Sequence, residues 1–493
     1  MKENFDRLFP PPDFAMFSYV PTVQSAKPNM AFLDIISQVS YAKGPESNSV
    51  FSSVLLVAVR KDAQGQPQPY VALRYPKQEN LVYDSNILSH LCFPDASSLK
   101  PTSVYKSESF FFMLFDEKDE KIHGYCCRLL GGPSQPSTSF VTFPAAVCIF
   151  SASSLLPFYL KLLGELEKCF SHPELVWCNI LSLLHKSKLP TPGKALSVSY
   201  QNVMEISVIR PLEDAKFHGK LTSLLQLLDV DLLLKVMASQ LLERRVLFFS
   251  QSTSILFDSI TTVLSLLYPF SWQHLVIPCL PTCLLAQCCV TTPYLIGVLS
   301  SSAHTVMEIL DNKVLVVDID QANLLQEVGD EDSILPGRIQ KALRMALSLA
   351  KNMTDPTEML RDVMISEAFI RMFVEIVGHV ESSITEGENG ELIFQKDYFC
   401  KCLSSRSIQK FLQWFTETQM FDIFVEEQKS LMCKKRLWEK QLDQPHHMSL
   451  FDRRVLEFVK ESEQTTSCLR GNVRDIGKFV KTFGEKLKHL KAF

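Results

Sequence analysis

Cys169, His172, Cys178 and His185 are residues of the types that hold structural zinc, which thiolate and imidazole groups coordinate. All four lie in or beside two segments of helical periodicity, and the chain contains no CxxC pair. The spacing therefore favours helix packing over a metal site, and no metal is predicted.

A second candidate for chemistry is the stretch from Gly471 to Lys478, which approaches the phosphate-binding loop GxxxxGK[ST]. Its spacer is one residue too long, and Phe479 occupies the position of the hydroxyl that binds magnesium. No GxSxG, HExxH, GxGxxG or HRD motif occurs in the chain. We therefore expect no cofactor and no residue that forms a covalent intermediate. A binding or interaction protein is favoured over a hydrolase.

The composition is that of a globular, multi-domain protein. The chain has 493 residues, of which 46% are hydrophobic and 21% charged, and roughly 150 residues per domain gives about three domains. A net charge of −4 does not favour a nucleic-acid partner. The N-terminus lacks a signal-peptide pattern, so a cytoplasmic location is expected, with the scattered cysteines as buried thiols.

Residues 275–303 form a run without a charged side chain that is long enough to span a membrane. Three prolines, Pro278, Pro281 and Pro293, interrupt the run, and Gln287 lies in its middle. We therefore expect buried strand, loop and helix here rather than a membrane span.

The elements that would position a site fall into two patterns. Residues 1–49 are expected to be an irregular lead-in. Between 50 and 153, β-rich runs alternate with polar turns, including a hairpin at 110–130, and an amphipathic helix follows. Two prolines and a glycine mark a boundary zone at 186–196. This half predicts an α/β module that ends in helices.

The second half alternates strands and helices and then becomes helical. Asp229 is a plausible N-cap for a helix, and strands are predicted at 246–250 and 313–320. Such alternation implies a parallel or mixed sheet covered on both faces. From Pro336 onwards the pattern is helical, with one further strand possible at 391–395.

The C-terminal end is basic. Residues 429–493 contain 15 Lys and Arg against eight Asp and Glu, and the last part has the pattern of a basic amphipathic helix. Such a helix can lie on an anionic membrane. The alternative, which we favour, is a solvated face that packs on the body of the protein.

Three runs of the central region resemble the central DENN domain: LLERRVLFFS (241–250), LLYPFSWQHLVIPCLP (266–281) and CCVTTPYLIGVLSS (288–301). In that family ERR precedes a core strand, and YPxxWQHxxIPxLP follows a helix. LCFPDASSL (91–99) and the GYCCR sequence (124–128) are similar to the upstream DENN module, although one extra cysteine precedes the arginine. The helical region downstream resembles the third DENN module and is most similar to the type-two subfamily of DENN-domain-containing proteins.

The resemblance implies an α/β fold with two lobes. The N-terminal lobe would be longin-like, and the C-terminal lobe would combine an α/β sheet with a helical bundle. The expected divisions are an irregular lead-in (1–49), an upstream DENN domain (50–196), a central DENN domain (217–350), a downstream DENN domain (352–445) and a basic helical tail (446–493).

The resemblance also implies a function, guanine-nucleotide exchange on a Rab-family small GTPase. For this subfamily, it implies a Rab that acts on the route from late endosomes to the trans-Golgi. The alternative is a non-catalytic adaptor that binds a GTPase in membrane trafficking. The protein would be cytoplasmic, or peripheral on endosomal or Golgi membranes.

Exchange needs no acid or base, so the expected site is a broad cleft between the lobes with aromatic and arginine anchors. The candidate residues from the matched motifs are Arg244, Arg245, Trp272, Gln273 and His274. The alternative for each is a role in building the core of the lobe.

Overall fold

The computed structural model describes residues 49–76, 83–116, 120–130, 141–170, 172, 174–212, 219–353, 357–439 and 448–468. The predicted lead-in before residue 49 and the last part of the basic tail, 469–493, lie outside the described residues.

The strands are β1 (Ser53–Lys61), β2 (Pro67–Tyr75), β3 (Glu108–Phe115), β4 (Lys121–Leu129), β5 (Ala145–Ser151), β6 (Ala195–Tyr200), β7 (Met204–Ile209), β8 (Arg245–Ser250), β9 (Leu275–Ile277), β10 (Tyr294–Leu299), β11 (Val314–Asp318), β12 (Asn323–Gln326), β13 (Ile384–Glu386) and β14 (Leu392–Phe394).

The α-helices are α1 (Ser85–Cys92), α2 (Leu156–Cys169), α3 (Glu174–Lys186), α4 (Leu221–Leu227), α5 (Val230–Leu241), α6 (Thr253–Ser265), α7 (Ala303–Ile309), α8 (Glu331–Ile334), α9 (Gly337–Asn352), α10 (Glu358–Val377), α11 (Lys396–Lys401), α12 (Arg406–Phe415), α13 (Gln419–Glu439) and α14 (Leu450–Cys468).

One sheet of ten strands runs through both halves, in the order β12-β11-β8-β10-β9-β3-β4-β5-β1-β2. The pairs β11–β8, β8–β10 and β10–β9 are parallel, and β1 to β5 are joined by antiparallel pairs. The two halves meet where β3 pairs with β9, at Met113 and Val276. The α/β fold class is therefore confirmed, with a mixed sheet shared between the halves.

The burial of the strands agrees with their positions in the sheet. All seven residues of β5 and all six of β8 are buried, as expected for central strands covered on both faces. Helix α6 packs on β3, β8 and β10, so it covers the place where the two halves of the sheet join. Its Phe257 stacks on Phe110 of β3, with ring centroids 4.0 Å apart.

The uncharged run at 275–303 folds as expected, into β9, a 3-10 helix (Thr282–Cys289) and β10. Within the described part of the chain, no helix combines the length and hydropathy that crossing a bilayer requires.

The four residues weighed as zinc ligands lie on or next to helices α2 and α3. Cys169 and Cys178 are buried, and the His185 ring lies against those of Phe51 and Tyr75, at centroid distances of 5.4 and 5.6 Å.

Two features of the fold differ from the expectations. The boundary zone at 186–196 runs into a two-stranded hairpin, β6–β7, which was not predicted. In the region predicted to be helical from Pro336 onwards, the periodic segment 405–429 is broken at 416–418 into α12 and α13.

Candidate functional site

The segment 268–274 lies between α6 and β9 and contacts the upstream, central and downstream parts of the described chain. Its first residue, Tyr268, is buried, and its Oη accepts a hydrogen bond from the backbone N–H of Phe451, at 3.0 Å. Phe451 is in α14, so this contact fixes the C-terminal helix to the central sheet.

Phe270 ties the same segment to the helical region. Its ring lies 5.1 Å from that of Phe373, 4.9 Å from that of Phe415 and 4.6 Å from that of Phe424, measured between centroids. These three phenylalanines belong to α10, α12 and α13. Aromatic pairs at such distances contribute about 0.5–1.5 kcal/mol each beyond area burial, so Phe270 is a major anchor.

Trp272 and Gln273, two of the predicted site residues, are buried, with 8% and 3% of their surface exposed. The Gln273 Oε1 accepts a hydrogen bond from Lys121 Nζ, and its Nε2 donates to the Ser271 carbonyl at 2.6 Å. Lys121 is the first residue of β4. The amide of Gln273 therefore joins the upstream half of the sheet to the central half.

His274, a third predicted residue, pairs with Glu243. The distance from His274 Nε2 to Glu243 Oε2 is 3.0 Å. The Glu243 carboxylate also accepts the backbone N–H groups of Gln419 and Met420, at 3.0 and 2.7 Å. These are the first residues of α13, so Glu243 caps that helix from a distant part of the sequence.

The electrostatics of Glu243 fit this capping role. Burial opposes its ionisation, but the hydrogen bonds from His274 and Met420 outweigh burial and hold the pKa of Glu243 below its usual range. A negative charge at a helix N-terminus is favourable because the N–H groups there carry partial positive charge.

Lys121 and Glu427 form a charged rim beside this contact. Burial lowers the pKa of Lys121, which the carboxylates of Glu243 and Glu427 partly oppose. Burial likewise raises the pKa of Glu427, against the attraction of Lys121. The Glu427 side chain is nevertheless exposed to solvent. We call Lys121, Glu243, Gln273, His274 and Glu427 the junction cluster.

The two predicted arginines pair within the chain. Arg244 donates from Nη2 to Asp330 at 2.7 Å, and Arg245 donates from Nη2 to both carboxylate oxygens of Asp311, at 2.7 and 2.8 Å. Arg245 also donates to the Val290 carbonyl at 3.2 Å. Arg244 follows helix α5 by three residues, and Arg245 opens strand β8. Both arginines fix loops at the edge of the central half.

The upstream motifs make a second link. Arg128 of β4 is fully buried, pairs with Asp95 and stacks over the Phe93 ring at 4.8 Å. It also lies 3.5 Å from Glu108, which accepts a hydrogen bond from Ser254 at the start of α6. The CFP and GYCCR sequences therefore meet at one ion-pair network, which reaches the central half.

The structure thus brings together Gln273 and His274, and places Trp272 against the His274 ring at 5.3 Å. Arg244 and Arg245 pair elsewhere. Lys121, Glu243 and Glu427 were not among the site residues predicted from the sequence. Glu243 has a backbone φ of 49° and pairs with a histidine. No local pattern marks a contact between residues this far apart in sequence.

The arrangement supports binding more than bond-making. The junction cluster consists of polar and charged side chains, and the buried rings of Phe270 and Trp272 pack inside the chain beside it. Polar and charged side chains of this kind form the rims of protein interfaces.

Three domain-family models match successive parts of the chain. The model for the DENN (AEX-3) domain matches residues 142–322, the uDENN domain model matches 69–129 and the dDENN domain model matches 394–444.

The similar proteins found by comparison of whole sequences are DENN domain-containing proteins of type 2. DENN domain-containing protein 2D of Homo sapiens is 31% identical over 427 residues, which are 84% of this chain and 87% of that protein. DENN domain-containing protein 2B of Homo sapiens is 31% identical over 90% of this chain, and protein 2C of Mus musculus is 33% identical over 90%. The chain spans only 39% and 48% of the lengths of these last two.

Proposed function

This chain belongs to the family of DENN domain-containing proteins, and from that premise we propose that it is a guanine-nucleotide exchange factor for a Rab-family small GTPase. We propose the route from late endosomes to the trans-Golgi, with the protein cytoplasmic or peripheral on those membranes. The basic C-terminal residues would favour contact with an anionic membrane.

Exchange of this kind is differential binding. A factor that binds the nucleotide-free GTPase more tightly than the loaded one weakens nucleotide binding by the same factor, because the two equilibria are linked. Shifting a two-state equilibrium from 1:99 to 99:1 takes a preference of about 10⁴-fold. Preorganisation and the quality of the contacts, rather than contact area, are the sources of such a preference.

The observation that supports this proposal is the convergence of the three DENN modules on the segment 268–274. Lys121 contributes from the upstream module, Gln273 and His274 from the central one, and α13 from the downstream one. A surface that spans these modules keeps its shape before the partner arrives, so less binding energy is lost in ordering it.

We assign three kinds of role to these residues. Trp272, Gln273 and His274 act as positioning residues that hold the modules in register. Arg244 and Arg245 act as positioning residues within the central half, where they fix loops. Lys121 and Glu427 carry the charges at the rim of the junction cluster, and such charges govern the rate of association and the choice of partner more than affinity.

The experiment is release of fluorescent GDP from a panel of Rab proteins at catalytic amounts of this chain. We expect one Rab to release nucleotide through many turnovers per molecule of the chain. Gln273→Ala should slow this release because the Lys121 contact is lost, whereas Gln413→Ala, on the exposed face of α12, should not.

Release that is absent across the panel, or that stops at one turnover, would reject exchange. Capture of the GTP-loaded Rab in preference to the nucleotide-free form would support the adaptor instead.

A further inference from the structure

Three cysteines from separate elements meet in the upstream half. Cys92 ends α1, Cys126 lies in β4 and Cys148 in β5, and the last two are directly opposite each other in the sheet. Their Sγ atoms all lie within 4.8 Å of one another, and each residue is 0% exposed. We call these three residues the thiol triad.

We propose that the thiol triad binds one Cu(I) ion in trigonal, all-sulfur coordination. Thiolate is a soft ligand that selects soft ions such as Cu(I). Zinc in structural sites takes four ligands. In the described part of the chain, a group of three or more metal-ligating side chains occurs at these three cysteines, and it offers three sulfurs.

Separate elements hold the three sulfurs in place: the β4–β5 pair holds Cys126 and Cys148, and the end of α1 holds Cys92. The fold therefore brings all three sulfurs to one buried point.

Binding of the ion forms three copper–sulfur bonds. Copper enters as Cu(I), so no electron is transferred, and each thiol that coordinates releases its proton to solvent. The fixed charge of Arg128 on the same strand offsets part of the negative charge that the sulfurs bring. Since the sulfurs are fully buried, the ion must be captured while the chain folds.

The test uses the full chain, folded without oxygen in the presence of one equivalent of Cu(I) and then challenged with the Cu(I) chelator bicinchoninate. We expect one Cu(I) per chain to resist the chelator, and X-ray absorption to show three sulfur neighbours. Thermal unfolding should shift upward, because an ion that binds only the folded state stabilises it.

Cys148→Ser is the informative variant and Cys127→Ser its control, since Cys127 is the next residue of β4 and points to the other face of the sheet. Removal of a group that only hydrogen-bonds to a metal ligand lowers metal affinity by up to about 100-fold. Cys148→Ser removes a ligand itself, so we expect it to lower the affinity for Cu(I) by more than this. Cys127→Ser should retain the ion. Circular dichroism shows whether Cys148→Ser folds. If it does not fold, Cys92→Ser replaces it in the chelator assay, and X-ray absorption of the unaltered chain tests the three-sulfur coordination.

Three results would overturn the proposal. Bicinchoninate could remove copper as easily from the unaltered chain as from Cys148→Ser. X-ray absorption could show fewer than three sulfurs. Mass spectrometry of the anaerobically folded chain could show Cys126 and Cys148 joined as a disulfide.

Discussion

Replacing Glu243 with alanine tests the capping of α13 from a distant part of the chain. Glu243 accepts the N–H groups of Gln419 and Met420 and pairs with His274. Glu243→Ala removes all three contacts without changing the backbone requirement at this residue, because alanine and glutamate bear the same cost at positive φ.

The expected loss follows from which donors can reach water. Met420 is fully buried, so its N–H is left without an acceptor, which costs about 1–3 kcal/mol. Gln419 is exposed, and water replaces the carboxylate there. The lost interaction with the helix dipole adds about 0.5–1 kcal/mol. The free energy of unfolding should therefore fall by about 1.5–4 kcal/mol.

Urea unfolding of both proteins at neutral pH measures this difference. The control is Glu426→Ala on the outer face of α13, where the exposed carboxylate pairs with Lys429 on the same helix. A change within about 0.5 kcal/mol is expected for this control. A loss for Glu243→Ala no larger than that of the control would show that Glu243 does not cap the helix.

The same pair of proteins has a defined pH dependence. The pKa of Glu243 is depressed in the folded state, so its stabilisation is complete above the ordinary pKa of 4.5 and is lost as the pH falls through the folded value. The stability difference between the unaltered chain and Glu243→Ala should therefore shrink below pH 4.5. A difference that stays constant down to pH 3 would contradict the assigned charge.

Three further substitutions test the packing. Gly297→Ala should cost about 2 kcal/mol in urea unfolding, because the new methyl would lie 2.0 Å from the Pro278 carbonyl oxygen, which is rigid backbone; Gly164→Ala in helix α2 meets nothing within 4 Å and should stabilise by about 0.5–1 kcal/mol. Arg128→Met should cost about 3 kcal/mol, since it leaves the buried side of Asp95 without its cation, and an unchanged urea midpoint would show that the ion pair contributes nothing.

Local patterns were sufficient where the physical cause was local. Asp229 was expected to begin a helix, and its carboxylate accepts the Leu232 N–H at 2.7 Å. The strands of the upstream half follow their β-rich runs, and the hairpin β3–β4 forms where the charged turn predicted it. These features depend on neighbours a few residues away, which the sequence displays directly.

Non-local contacts explain what was missed. The break between α12 and α13 falls where Glu243, about 175 residues earlier in the chain, supplies the cap. Hydrophobic periodicity predicts strands but not their partners, so the pairing of Met113 with Val276 that joins the two halves could not be inferred. Gln273 was identified from its motif, whereas its partner Lys121 had no pattern of its own.

We propose that His274 and Glu243 act together to hold the modules in the arrangement that the exchange surface requires. A double-mutant cycle of Glu243→Ala and His274→Ala, with the second-order rate constant for GDP release from the responsive Rab as its readout, tests this most directly. We predict that each single change slows release by about tenfold, equivalent to about 1.4 kcal/mol, and that the double variant is no slower than the slower single one. Losses that simply add, or release that neither change affects, would contradict the claim.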